Sequence, residues 1–156
     1  MKRFGFLIIL SFFFVSCGQT AIGYNDSVIR PQIEISAYLD SIFLANSSYN
    51  AIHSYREEMV KNAEEGLSKI RVLDDFKGNE SYRESAQKYY SFVATYFSST
   101  LEIDSILYQF NSPERLESVP QERIEQIRKN FQHFQELEEN LLNEQQKFAE
   151  EFNLKL

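Results

Sequence analysis

The sequence predicts an all-α protein, an up-down-up-down antiparallel four-helix bundle set behind a short apolar N-terminal segment. Three observations predict it. From Tyr24 onward, apolar residues recur at intervals of three and four, the period of a helix with one buried face. The repeating stretches run to roughly 23–35 residues with short connections, a length and spacing that suit antiparallel neighbours. Beyond Pro31 the body contains only Gly66, Gly78, Pro113 and Pro120 as breakers, and no alternating strand pattern competes.

Residues 1–16 come first. Met1-Lys2-Arg3 is basic, Phe4 to Val15 is apolar, and Ser16 is small, the three parts of a secretion signal. The apolar run is shorter than the ~20 residues that span a bilayer. Residues 17–23 read as a tether of small and polar side chains, and residues 24–156 as one domain. The first helix is expected over Tyr24 to Asn46, with Val28, Ile35, Leu39, Ile42 and Phe43 on one face; Pro31 either kinks it or marks its first turn. The second runs from about Ser48 to Phe76, with small residues Ala63 and Gly66 where a neighbour can approach closely. The third spans Ser81 to Phe110, opened by a Ser81/Glu84 capping box. Its apolar arc is broad enough to touch two neighbours. The fourth follows Pro120, with Ser118 and Gln121 as a second capping box and a stripe from Ile124 to Phe152.

The residues before and at the sole cysteine, Phe14-Val15-Ser16-Cys17, resemble the bacterial lipobox, with Phe14 where leucine is usual. That resemblance implies a diacylglyceryl group on the Cys17 thiol and cleavage before it. Two acyl chains on one residue anchor stably, where one binds marginally. The stretch Tyr24-Asn25-Asp26-Ser27-Val28-Ile29 with Gln32, and the far end Gln145-Gln146-Lys147-Phe148-Ala149-Glu150-Glu151-Phe152-Asn153-Leu154, resemble a family of small helical surface lipoproteins of spirochaete and Bacteroidota-type bacteria. Pro31 stands where that family has a polar helical residue. The resemblance implies an envelope location and a helical fold, and no reaction. Gly18 after the cysteine, in place of a retention aspartate, points to the outer membrane, facing either the periplasm or the surface.

Composition narrows the chemistry. The chain of 156 residues carries a net charge of −7; loss of residues 1–16, with Lys2 and Arg3, leaves 140 residues at −9. An acidic chain without a basic cluster is a poor match for nucleic acid. One cysteine permits no intramolecular disulfide. Neither His53 nor His133 has the glutamate three positions back that di-iron bundles use, since Asn50 and Asn130 stand there. Both histidines lie off the apolar stripes and are expected in solvent. Haem would need Met59 or a histidine as axial ligand, and Met59 reads as core. No cofactor and no metal site are expected. Neither a nucleophile elbow nor a phosphate loop is present. The pairs Glu57-Glu58, Glu64-Glu65, Glu138-Glu139 and Glu150-Glu151 read as solvated faces, because neighbours on a helix point about 100° apart.

Three groups stand out as candidate sites. Tyr89, Tyr90, Phe92, Tyr96 and Phe97 form either a core with flanks or a surface for a partner or small ligand. Asp104, Glu138 and Gln145 are polar residues on apolar stripes, expected at edges with their head groups in water. Ser27, Ser41 and Ser105 lie in Asp-Ser-aliphatic tripeptides that resemble O-glycosylation acceptors of Bacteroidota-type envelope proteins. Together these features describe a non-enzymatic, lipid-anchored bundle that displays an acidic surface to an unidentified protein partner. The alternative is a periplasmic bundle that holds a small apolar or aromatic ligand.

Overall fold

The computed structural model describes residues 19–44, 47–98 and 102–156. The secretion signal and Cys17 lie outside the described residues. Six helices pack together: α1 (Ala21–Phe43), α2 (Tyr49–Arg71), α3 (Ser81–Tyr96), α4 (Ile103–Phe110), α5 (Pro113–Leu116) and α6 (Gln121–Glu151). Among the described residues no strand forms, and Phe76 and Asn79 make one isolated bridge.

The first helix begins earlier than its apolar period indicates. The Thr20 hydroxyl accepts the Gly23 amide at 3.1 Å, so Ala21 to Gly23 are helical rather than part of a tether. Pro31 lies in mid-helix and is buried, so it does not mark the first turn. A proline there removes one ladder bond. Close by, the buried Tyr90 hydroxyl donates to the Val28 carbonyl and sits against the Gln32 amide, supplementing the ladder beside the gap. At the other end, the Asn111 amide donates to the carbonyls of Ile42 and Leu44, both at 3.1 Å, which satisfies acceptors a helix terminus leaves open.

The second helix stops at Arg71, five residues short of Phe76. Lys77 and Gly78 take positive φ values of 52° and 86°, and the turn they make folds Phe76 back into the core. Along α2, Gly66 meets α1 closely. A Cβ built on Gly66 would lie 2.9 Å from Pro31 Cβ, 3.1 Å from Pro31 Cγ and 3.3 Å from Tyr90 Cδ2. Gly66→Ala therefore sets a helix-propensity gain of about 1 kcal/mol against an overpacking cost of about 1–3 kcal/mol. The proline ring cannot swing away, so the cost wins. A net loss of about 1 kcal/mol is expected, read as a lower urea midpoint; an unchanged or higher midpoint would show that α1 gives way freely.

The third expected helix is two. α3 ends at Tyr96 and α4 starts at Ile103. Ser98 donates its hydroxyl to the Ala94 carbonyl and, at 3.3 Å, to that of Thr95, the side-chain competition that weakens helices at serine. The segment Ser98-Ser99-Thr100 is rich in such competitors. α4 then packs on α2. Neither expected capping box forms. Glu80 occupies the N-cap of α3, and the Ser81 hydroxyl donates to Glu144 of α6 at 2.6 Å. Pro120 precedes α6, and the Ser118 hydroxyl donates to the Arg115 carbonyl.

The core contains two aromatic groups. In one, Phe148 packs against Tyr24, Phe76, Tyr82 and Phe152, at centroid distances of 5.3, 5.7, 5.2 and 4.7 Å. In the other, Phe134 of α6 meets Tyr89, Phe92 and Phe97 of the α3 region. Such ring pairs add roughly 0.5–1.5 kcal/mol each beyond the area they bury.

Candidate functional site

Two arrangements concentrate polar chemistry, a buried charge cluster between α2 and α4 and an open groove between α3 and α6. In the first, Asp104 is not at a solvated edge: its side chain is 8% exposed. Arg56 Nε donates to Asp104 Oδ1, and Arg56 Nη2 donates to Oδ2 at 3.3 Å. His53 presents Nδ1 to Oδ2 at 2.6 Å and Nε2 to Glu57 at 3.3 Å. Arg56 Nη1 also donates to the Phe97 carbonyl at 3.2 Å, closing the last turn of α3. Burial raises the Asp104 carboxyl, and the hydrogen bonds of Arg56 and His53 outweigh it, so the group lies below its ordinary value. His53 is half-exposed, as its off-stripe position predicts, yet it is paired rather than simply hydrated.

An aspartate that orients a histidine is half of a nucleophilic triad. The other half requires a hydroxyl or thiol at Nε2. Here Nε2 meets the exposed Glu57 carboxylate at 3.3 Å, which is neither a hydroxyl nor a thiol. The cluster therefore joins α2, α3 and α4, and among the described residues the group at His53 Nε2 is a carboxylate. Arg56 escaped the sequence reading. Its signal is its spacing: it follows His53 by three, so one face of α2 carries both donors.

Glu138 and Gln145 likewise turn inward and do not meet Asp104. Glu138 Oε1 accepts from Gln32 Nε2 and Ser36 Oγ, each at 2.8 Å, tying α6 to α1. The Tyr89 hydroxyl lies beside this group. Burial pushes its pKa upward and the Glu138 charge adds to the shift. Gln145 Nε2 and the Tyr82 hydroxyl both donate to Asn25 Oδ1 at 3.1 Å, tying α6 and α3 to α1.

The groove has a volume of about 820 Å³ and is lined by Glu84, Gln87, Lys88, Ser91, Phe92, Thr95, His133 and Leu137. Phe92 stacks on Tyr96 at 5.3 Å and takes the edge of His133 at 5.1 Å. Of the five aromatic residues singled out in sequence, only Phe92 lines it. Tyr89, Tyr90 and Phe97 are fully buried and unavailable as a surface, and Tyr96 is half-buried. Ring packing against Phe134 and Phe131 fills the space behind them.

Ser27, Ser41 and Ser105 all lie on helices and are half-buried. The Ser27 and Ser41 hydroxyls donate to the carbonyls of Gly23 and Ala37, one turn back. A sugar at either would have to displace that bond, and an intact mass of the secreted protein reads its presence directly. Among the described residues, no three His, Cys, Asp or Glu side chains converge on a metal-sized site. No described helix is long and apolar enough to cross a membrane. No family model matches the chain, and neither the curated proteins nor the solved structures provide a match.

Proposed function

We propose that this chain is a non-enzymatic bacterial envelope lipoprotein, held at the outer membrane by lipid on Cys17 and displaying an acidic helical domain to a protein partner. α1, α2, α3 with α4, and α6 then form the four legs of an up-down-up-down bundle. The contacts of Asn25 with Tyr82 and Gln145, and of Pro31 with Gly66, support that order.

The observation that carries the reading is the placement of Cys17. The only thiol in the chain follows an apolar run and a small residue, and stands three positions before the N-cap of α1. Anchor and fold are thus contiguous. The conspicuous polar groups on apolar stripes are also consumed in ties between helices, which suits a scaffold better than a reaction centre. Growth with labelled fatty acid tests the anchor. The wild-type protein is expected to take up label and partition with detergent-extracted membranes, and Cys17→Ala to do neither. A Cys17→Ala protein that still partitions with membranes would sink the proposal.

A second reading, a bundle that holds a small apolar or aromatic ligand, has the groove beside Phe92 in its favour. An environment-sensitive aromatic dye should then bind in that groove, and Phe92→Ala should abolish its signal while circular dichroism shows the helices retained. The complete burial of Tyr89 and Phe97 weighs on the other side.

A further inference from the structure

At one end of the molecule the start of α1, the turn after α2 and the tail after α6 come together. α6 ends in a Schellman turn: Asn153 takes φ 55°, the Leu154 amide donates to the Ala149 carbonyl at 2.8 Å, and the Asn153 amide reaches the Glu150 carbonyl at 3.4 Å. The turn sends Leu154, Lys155 and Leu156 back beside α1. There they form, with Ile22, Asn25 and Asp26, a shallow groove of about 400 Å³. Ile22 is 62% exposed and Leu156 65%. Lys77, at the same end, stands 5.6 Å above the Phe76 ring and 5.5 Å above that of Phe152.

We propose that this end of the fold seats in the lipid–water interface of the bilayer that holds the anchor, with Ile22 and Leu156 as the contact. The inference rests on the lipid anchor at Cys17. Chain length selects the end. Two residues, Gly18 and Gln19, separate Cys17 from Thr20, so three residue steps give a reach of about 10 Å at full extension. The opposite end also exposes apolar side chains, Phe43, Leu44 and Tyr49. It lies beyond the 23 residues of α1, about 35 Å further away. With α1 standing up from the surface, a short tether holds the first set at the membrane and leaves the second out of reach.

The lipid class follows from charge. Lys77 and Lys155 share this end with Asp26, Glu150 and Glu151, a mixed set that suits zwitterionic headgroups and gives an anionic surface no advantage. So small an apolar patch binds nothing alone. It acts because the anchor keeps it at high local concentration.

The chain has no tryptophan, so one introduced ring reports one position. Leu156→Trp and Leu44→Trp proteins would be purified from membranes with their lipid and reconstituted into phosphatidylcholine vesicles. The vesicles would contain lipid brominated near the headgroup end of its acyl chains. Intact mass first establishes the diacylglyceryl group on Cys17, and circular dichroism establishes the fold. The Leu156→Trp emission is expected to fall about twofold and shift to the blue, with Leu44→Trp unchanged. A lipidated protein in which neither ring is quenched, or both equally, overturns the seating and leaves the anchor standing. A protein whose mass shows no lipid overturns both.

Discussion

Phe148→Ala is expected to lower the folding free energy by about 3–5 kcal/mol, the cost of emptying a large aromatic site in a packed core. Phe148 is fully buried and its ring touches four others, which come from α1, α3, the turn after α2 and the end of α6. No single neighbour can collapse into the space without leaving its own partners, so the upper part of that range applies. For a chain of this size the loss should appear as a melting temperature lower by about 10–15 °C. A decrease under about 3 °C would mean that this end of the core is loosely packed. Phe148→Leu, which keeps most of the volume, should lose much less.

Asp104→Ala is expected to cost about 3 kcal/mol at neutral pH. The carboxylate and its Arg56 partner are 8% and 13% exposed, so removing the anion leaves a guanidinium that is largely dry. Removing both charges, as in an Asp104→Leu, Arg56→Met pair, should recover most of the loss, because a buried ion pair stabilises little relative to well-packed apolar groups. The sign of the pH dependence is fixed by the direction of the Asp104 shift. Its carboxyl lies below the ordinary value of 3.8, so its contribution is complete above that pH and is lost as the pH falls through the folded-state value. Denaturant curves of the two proteins should therefore differ at pH 7 and converge in strong acid. A difference that stayed constant down to pH 2 would assign the effect to packing rather than to charge.

Both predictions concern residues whose roles were unequally visible in the sequence. Phe148 sits on a clean apolar stripe, and period alone places it in the core. Asp104 sits on a stripe as well, but period cannot say whether a polar residue there finds water or a partner. The partners lie 48 and 51 positions away on α2, and the pairing exists because the chain breaks after Phe97 and brings α4 against that helix. The same limit applies to Glu138, whose donors come from 102 and 106 positions distant on α1.

Three of the five candidate aromatic residues lie in the core for a related reason. Tyr89, Tyr90 and Phe97 cover an arc wide enough for either two neighbours or one neighbour and a ligand. The number of helices that surround α3 decides between them. The capping boxes failed locally: the right residue types stood at the right spacing, but Ser81 found the Glu144 carboxylate of another helix and Ser118 found the end of α5. Side-chain hydroxyls accept whichever partner the assembled chain offers.

The all-helical class, the positions of the chain breaks near residues 46, 78 and 112, and the apolar face of every long helix were legible from residue order, because helix period and the exclusion of proline and glycine from helix interiors are local properties. Pro31 inside α1, the division of the third segment into α3 and α4, and the pairing of Asp104, Glu138 and Gln145 with α1 and α2 were decided only when the helices met. These outcomes depend on which surfaces face each other and on partners far away in sequence, and no window along the chain contains both sides of such a contact.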